Sequence, residues 1–307
     1  MLEVLRVCLL NGFNTRSVTS IVVASGVATA TAATHGYTST YGKLLLIEGS
    51  GEALLNGRKQ PLSVTTNTFT YAAPGVADGT YTGTITAKRA PLGWAEALTG
   101  THKAIFQRTA PEANTQVLRV EDSDALYTRL VMAESASDVD TLTDPAPTTA
   151  QLSGGAYLYK GQNNTTPKRW AIVGNHRFIY LFTPTGNTAQ NSEADQLLLC
   201  FGDGVNYFPG DSHFCILCAG TTTTHTTNGP KIAQSSAMGA NWGLSQYGSV
   251  VSRSRSGADK SGIFDTQSVF QQRVGLVTSI TLPQAIWVIG KPVFLVDDYA
   301  TKEIRGE

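Results

Sequence analysis

Residues 26–86 consist of short Thr-rich runs whose apolar members fall on alternate positions, and no other feature of the chain restricts its fold as much. Val27-Ala28-Thr29-Ala30-Thr31, Phe69-Thr70-Tyr71 and Thr80-Tyr81-Thr82-Gly83-Thr84-Ile85-Thr86 are separated by turn formers such as Asn56-Gly57 and Ala77-Asp78-Gly79. Successive side chains of a strand point to opposite faces, so each run offers one face to a core and one hydroxyl-rich face to water. The pattern predicts antiparallel strands joined by tight turns.

Within this part, strands are expected near 18–23, 27–32, 43–48, 62–66, 68–72 and 80–87. Six short strands within about 75 residues is the spacing of an immunoglobulin-like sandwich. Ala90-Pro91-Leu92-Gly93 breaks the alternation and marks a domain boundary. Beyond it, strands are expected at 103–108, 116–121, 125–133, 155–160, 168–174 and 176–183. The runs Arg169–Val173 and Arg177–Phe182 read as a hairpin at the centre of a second core. Apolar runs at 196–201 and 214–219 come next, and the chain closes with strands near 274–281, 285–289 and 293–297. Residues 135–154 and 220–262 read as long loops. The expected fold class is therefore all-β, in three parts: an N-terminal arm or edge strand at 1–14, an Ig-like β-sandwich at 15–90, and a larger antiparallel β-rich domain with long loops at 91–307.

The chain has 307 residues, enough for two cores. Only 15% of them are charged, with Lys+Arg and Asp+Glu balanced at 23 each. Neutralising phosphates needs clustered Lys and Arg, and Arg253-Ser254-Arg255 is too short a cluster, so nucleic acid is not an expected partner. A weakly charged surface does suit a subunit packed among others. The apolar stretch Val7–Leu10 is interrupted on both sides, by Arg6 and Asn11, and reads as no signal peptide. Ala285–Val296 carries Lys291 and Pro292 and is too short to span a bilayer, so membrane insertion is not expected. Four cysteines suit a reducing cytoplasm.

Candidate chemistry is sparse. Cys215-Ile216-Leu217-Cys218 has the spacing of a zinc knuckle, with Cys200, His213 and His225 nearby, but its apolar interior reads as a strand, where positions three apart face opposite sides. Asp203, Asp211 and Glu193 or Asp195 surround the Gly-rich stretch Phe201–Asp211 without the regular spacing of a calcium loop, and read as turn residues. Asp138/Asp140 and Asp297/Asp298 are acid pairs of a kind most loops contain. Gly243-Leu244-Ser245-Gln246-Tyr247-Gly248 matches a nucleophile elbow only loosely. No catalytic residue, cofactor or metal is assigned, and the chain reads as non-enzymatic.

Val27–Gly36, Leu44–Gly49, Ala53–Gly57, Thr68–Tyr71 and Pro74–Gly79 together resemble an Ig-like module of tailed-bacteriophage virion proteins. Val117–Asp122, Ser137–Thr141 and Gly154–Leu158 look like the segment C-terminal to that module in structural proteins of phage tails and baseplates. The resemblance covers roughly residues 20–180, and residues 196–307 lie beyond it. It implies an assembly role in the virion tail, tail tip or baseplate after synthesis in the host bacterial cytoplasm. Its partners would be other copies of the chain and other tail proteins, with no catalytic residues to carry over. Val4, Val7 and Leu9 in the apolar N-terminal run are the candidate assembly contacts. The alternative is a host-surface adhesin, in which Trp242 and Tyr247 would contact a glycan.

Overall fold

A computed structural model of the chain describes residues 1–38, 43–150, 152–160, 170–183, 197–205, 214–220, 248–254, 296–297 and 304–306. The chain divides into two compact units, Glu3–Gly93 and Trp94–Glu307, the second including Met1–Leu2. Every pairing between described strands is antiparallel, and the only described α-helix is a single short one, so the fold class is all-β. The strands expected at 274–281 and 285–289 lie outside the described residues.

The N-terminal segment differs from the expected arm or edge strand. Leu2–Arg6 forms helix α1, continued by a wider π-helical turn over Val7–Asn11. Leu2, Leu5 and Leu9 are spaced to share one side of a helix, and Glu3 pairs with Arg6 one turn on at 2.6 Å. Gly12 ends the turn at φ 72°, where a Cβ would stand 2.4 Å from the Arg89 carbonyl oxygen. The carbonyls of Cys8 and Leu9 accept hydrogen bonds from the Leu92 and Gly93 N–H groups, so this segment is tied by backbone to the end of its own unit.

Among the described residues, the first unit holds nine strands: β1 (Phe13–Val18), β2 (Ser20–Ala24), β3 (Val27–Thr31), β4 (Leu45–Glu48), β5 (Gly57–Lys59), β6 (Ser63–Val64), β7 (Thr68–Ala72), β8 (Gly79–Tyr81) and β9 (Ile85–Arg89). They form a four-stranded sheet, β1-β9-β4-β5, and a five-stranded sheet, β6-β7-β3-β2-β8. Alternate residues of both sheets enter one core: Val18, Leu45, Ile47, Ile85 and Ala87 from the first, Ile21, Val23, Ala28, Ala30, Phe69 and Tyr71 from the second.

The polar groups of His35 and Tyr37 inside this core are hydrogen-bonded. The Nδ1 of fully buried His35 accepts the Tyr37 N–H at 2.9 Å, which leaves Nε2 to donate to the Thr68 carbonyl at 3.2 Å. The ring stacks on Tyr37 and meets Phe69 edge-on. Tyr37 donates from its hydroxyl to the Ala87 carbonyl at 2.6 Å. Burial pushes the hydroxyls of Tyr37 and Tyr71 up to about 12, so both stay protonated donors.

Among the described residues, the second unit is built on a ten-stranded sheet. Its strands are β10 (Trp94–Gly100), β11 (Lys103–Arg108), β12 (Val117–Glu121), β13 (Tyr127–Ala133), β16 (Ala156–Tyr159), β17 (Ala171–Gly174), β18 (Phe178–Thr183), β19 (Leu197–Asp203), β20 (Phe214–Gly220) and β21 (Gly248–Ser254). The order is β10-β11-β12-β13-β16-β20-β19-β18-β17, with β21 also paired to β20. The expected central hairpin is β17–β18, but β17 is a largely exposed edge strand; only β18, inside the sheet, buries alternate residues such as Ile179 and Leu181.

Residues 135–154, expected to be a loop, contain a hairpin of β14 (Ser135–Asp138) and β15 (Thr141–Thr143). Its Ala136, Val139 and Leu142 pack on Leu98, Ile105, Val117 and Ala133, which covers the second face of the β10–β13 meander. A small pair, β22 (Val296–Asp297) with β23 (Ile304–Gly306), completes the described strands.

Gly49 bears the closest backbone approach in the first unit, since at φ 84° an added Cβ would lie 2.1 Å from the Thr84 carbonyl oxygen. Gly49→Ala combines left-handed strain with a backbone clash, and should cost about 2–3 kcal/mol in urea denaturation of the full chain. An unchanged midpoint would mean that the turn relaxes freely.

Candidate functional site

The outer face of the five-stranded sheet is the most distinctive described surface. Register across the sheet arranges its outward residues in three rows: Ser20–Thr31–Thr68, Thr80–Val22–Thr29–Thr70–Ser63, and Ala24–Val27–Ala72. None of the three rows contains a charged residue. Val22 and Val27 are 44% and 39% exposed. The hydroxyls are partly paired with each other, Ser63 Oγ with Thr70 Oγ1 at 2.7 Å and Thr65 Oγ1 with Thr68 Oγ1 at 2.8 Å.

The four-stranded sheet has an outer face of the opposite character. Leu46 stands between Lys88 and Arg58 in register, and Glu48 pairs with Lys88 at 3.0 Å. Desolvating such charges against a partner is costly, whereas threonine hydroxyls both donate and accept and alanine and valine have little to desolvate. The uncharged face is thus suited to burial and the charged one to water.

Of the N-terminal contacts expected from the sequence, Val4 and Val7 are half-buried, but Leu9 has no exposed surface and is not available to a partner. Helical spacing, in place of the expected edge strand, turns Leu9 inward. Trp242 and Tyr247, the candidate glycan contacts, lie outside the described residues, as do Ser245, Asp211, Glu193, Asp195, His213 and His225.

Among the acids, Asp203 is not a turn residue. It ends β19 and lies in a buried ionic cluster of the second unit that the sequence reading missed. Arg108, at the end of β11, places Nη2 3.0 Å from Asp203 Oδ1, an ion pair whose angle falls short of a hydrogen bond, with side chains 0% and 1% exposed. Asp203 Oδ2 accepts from Arg177 Nε at 3.1 Å and from the Asn114 N–H at 3.2 Å. The Arg108 guanidinium also donates to the Asn114 carbonyl and to Cys215 Sγ, at 2.9 and 3.3 Å. It lies over the Phe201 ring at 4.8 Å, and the Trp94 ring, 5.9 Å from it, is anchored by a bond from Nε1 to the Asn175 carbonyl.

Gly202 lets β19 lie close to Arg177: at φ 145° a Cβ would stand 2.3 Å from the Arg177 carbonyl oxygen. Burial raises the Cys215 thiol, more than the nearby Arg108 lowers it, so Cys215 is a protonated neighbour and not a nucleophile. With Arg108, Asp203 and Cys215 closed to solvent and Arg177 at the rim, the cluster acts as a clamp between the ends of β11 and β19, not as a site for a reactant.

Asp138 and Asp140 sit at the β14–β15 turn. Asp140 pairs with Lys103 at 2.6 Å and Arg119 at 3.0 Å, and these hydrogen bonds, Lys103's first, hold its carboxyl below the usual range. It is therefore a structural anion and not a proton donor. The CxxC pair lies on the continuous strand β20, where positions three apart fall on opposite faces.

Asp122 gathers a second ionic cluster. Its Oδ1 accepts from Lys160 Nζ and Thr128 Oγ1, both at 2.8 Å, and its Oδ2 accepts from the Met1 amino group at 2.6 Å and the Leu2 N–H at 3.1 Å. Burial would raise this carboxyl, but the bonds from Lys160, Met1 and Leu2 outweigh it and hold the group at about 2. Comparison of the sequence with protein-family models finds no match, and comparison with curated proteins finds none either.

Two outcomes test these clusters. Asp203→Asn or Arg108→Met alone leaves a buried charge without its partner, and each should cost about 3–5 kcal/mol by urea denaturation. The double variant Arg108→Met/Asp203→Leu should cost clearly less than the sum, and strict additivity would refute the clamp. For Asp122, the folded carboxyl titrates below its ordinary value near 4. Its contribution, about 2 kcal/mol, should be complete above that value and vanish as pH falls toward 2. Stability measured from pH 6 to 2 should therefore drop less steeply in Asp122→Asn than in the wild type.

Proposed function

We propose that this chain is a non-enzymatic structural component of a bacteriophage virion, in the tail, tail tip or baseplate, working through subunit–subunit assembly. The first unit is read as an Ig-like module in which the five-stranded sheet is the docking face. The observation that carries this reading is the three-row outer face with no charged residue, set against the charged face of the other sheet. Few charged groups have to be desolvated when such a face is buried, and interface cores are depleted in charge. The resemblance of residues 20–180 to tail and baseplate proteins supplies the setting. In a ring or fibre, many weak copies of such a contact add through multivalency. Val4 and Val7 are secondary contacts in this reading, and Leu9 is not one.

The test is incorporation. Thr29→Lys with Thr70→Lys places like charges on the middle of the face. The variant should fold with stability within about 1 kcal/mol of the wild type, as exposed substitutions do, yet enter particles at a tenth of the normal copy number or less. Arg58→Gln, on the charged face, should enter normally. If the Lys variant assembles at full copy number, the face is not the interface. If the wild-type chain is absent from purified virions, the structural reading itself fails.

A further inference from the structure

Cys200 on β19 and Cys218 on β20 are direct register partners on neighbouring antiparallel strands. Residues opposed in this way have Cα atoms about 4.5 or 5.5 Å apart, depending on whether the pair is hydrogen-bonded. Both separations fall within the roughly 4.4–6.8 Å over which a disulfide closes. Closure requires the Cβ atoms to approach by about 1 Å from the ordinary cross-strand spacing.

Cys215 does not compete for this bond. Its register partner is Asp203, it lies on the opposite face of β20 from position 218, and its sulfur is held by the Arg108 guanidinium at 3.3 Å. Cys8 belongs to the other compact unit. Of the four cysteines in the chain, then, the register brings one pair together.

We propose that Cys200 and Cys218 form a redox-responsive cross-strand disulfide, with a small-molecule disulfide such as oxidised glutathione as the oxidant. One cysteine, as thiolate, attacks a glutathione sulfur, which breaks the glutathione S–S bond and releases one glutathione thiolate. The second protein thiolate then attacks the protein sulfur of the mixed disulfide and expels the other glutathione. Two protein thiols become one disulfide, one glutathione disulfide becomes two thiols, and the two protons pass to the released thiolates.

Cys200 is fully buried, so exchange proceeds while β19 and β20 are separated, during folding or local opening. The product joins the two strands that carry Asp203 and Cys215 of the Arg108 cluster. It also closes a loop of roughly 20 residues, which restricts the unfolded chain. The pair would be open in a reducing cytoplasm and closed in an oxidising medium.

The experiment refolds the full chain from urea in a glutathione redox buffer, blocks remaining thiols by alkylation and maps the peptides. A protease that cuts before aspartate separates Cys200 from the other two, because Asp203 and Asp211 lie between them. The expected result is a 2 Da mass loss in the intact chain, counted as two hydrogens, with the Cys200 peptide joined to the peptide that starts at Asp211. Fragmentation should place that link at Cys218, and the link should persist in Cys215→Ala. The closed form should melt about 5–10 °C above the same chain reduced. Recovery of Cys200 as the alkylated thiol under these conditions, or its linkage to Cys215 or Cys8, overturns the proposal. The wild-type map decides the matter even if a cysteine variant misfolds.

Discussion

The ion pair between Arg108 and Asp203 is the contact on which the second unit most depends. Removing both charges from water is costly, and the attraction between them compensates only when geometry is fixed and the remaining donors and acceptors are engaged. Most of the surroundings serve that requirement: Arg177 and the Asn114 N–H on Asp203 Oδ2, the Asn114 carbonyl and Cys215 on the guanidinium, and the rings of Phe201 and Trp94 along its flanks, with Arg108 Nε left without a hydrogen bond among the described residues. β11 and β19 are not neighbours in the sheet, since β12, β13, β16 and β20 lie between them. The sheet must therefore bend far enough to bring their ends together, while Gly202 lets β19 pass close to the Arg177 carbonyl beside the pair.

How much of this was legible in the sequence depends on the range of each interaction. Strands β3, β7, β11, β12 and β13 lie within a few residues of where alternation places them, because a half-buried strand writes its period locally, whereas the single strand expected at 80–87 is divided between β8 and β9 of different sheets. β10 was missed because Pro91 and Gly93 precede it directly and a register shift between Glu96 and Leu98 interrupts its alternation. The β14–β15 hairpin was missed because Ser135-Ala136-Ser137-Asp138 has little intrinsic preference for strand. It is held by tertiary packing of Val139 and Leu142 and by the ion pairs of Asp140. The helix at Leu2–Arg6 was legible in principle, through the spacing of Leu2, Leu5 and Leu9, but a short apolar run is ambiguous between strand and helix. The clusters at Asp203 and Asp122 join residues far apart in the chain, and no local pattern announces them; an acid next to a Gly-rich stretch looks like a turn until its arginines are placed.

Composition alone also misleads about where the charges are. A chain with 15% charged residues and no net charge suggests weak electrostatics throughout. Yet in the second unit Arg108, Arg177 and Asp203, then Lys103, Arg119, Glu121 and Asp140, then Lys160 and Asp122, form three ionic groups with short contacts. A scarce supply of charge is concentrated at points that fix strand ends and the covering hairpin. The five-stranded sheet of the first unit receives none of it on its outer face. Low charge density is thus the sum of two different distributions, one that orders an interior and one that leaves a surface easy to bury.

The choice of threonine over valine on that outer face fits the same division. Both are β-branched and suit a strand, but a face of valines would invite indiscriminate sheet stacking in the free chain. Threonine keeps the strand preference and adds a hydroxyl that water satisfies before docking and a partner's polar group satisfies after it. Where the hydroxyls already bond one another, as Ser63 with Thr70 and Thr65 with Thr68, even that exchange is reduced. A partner meeting this face has few strong hydrogen bonds to replace and no charge to neutralise. Its specificity must then come from shape and from the spacing of the Thr rows, with Val22 and Val27 as the apolar points of purchase.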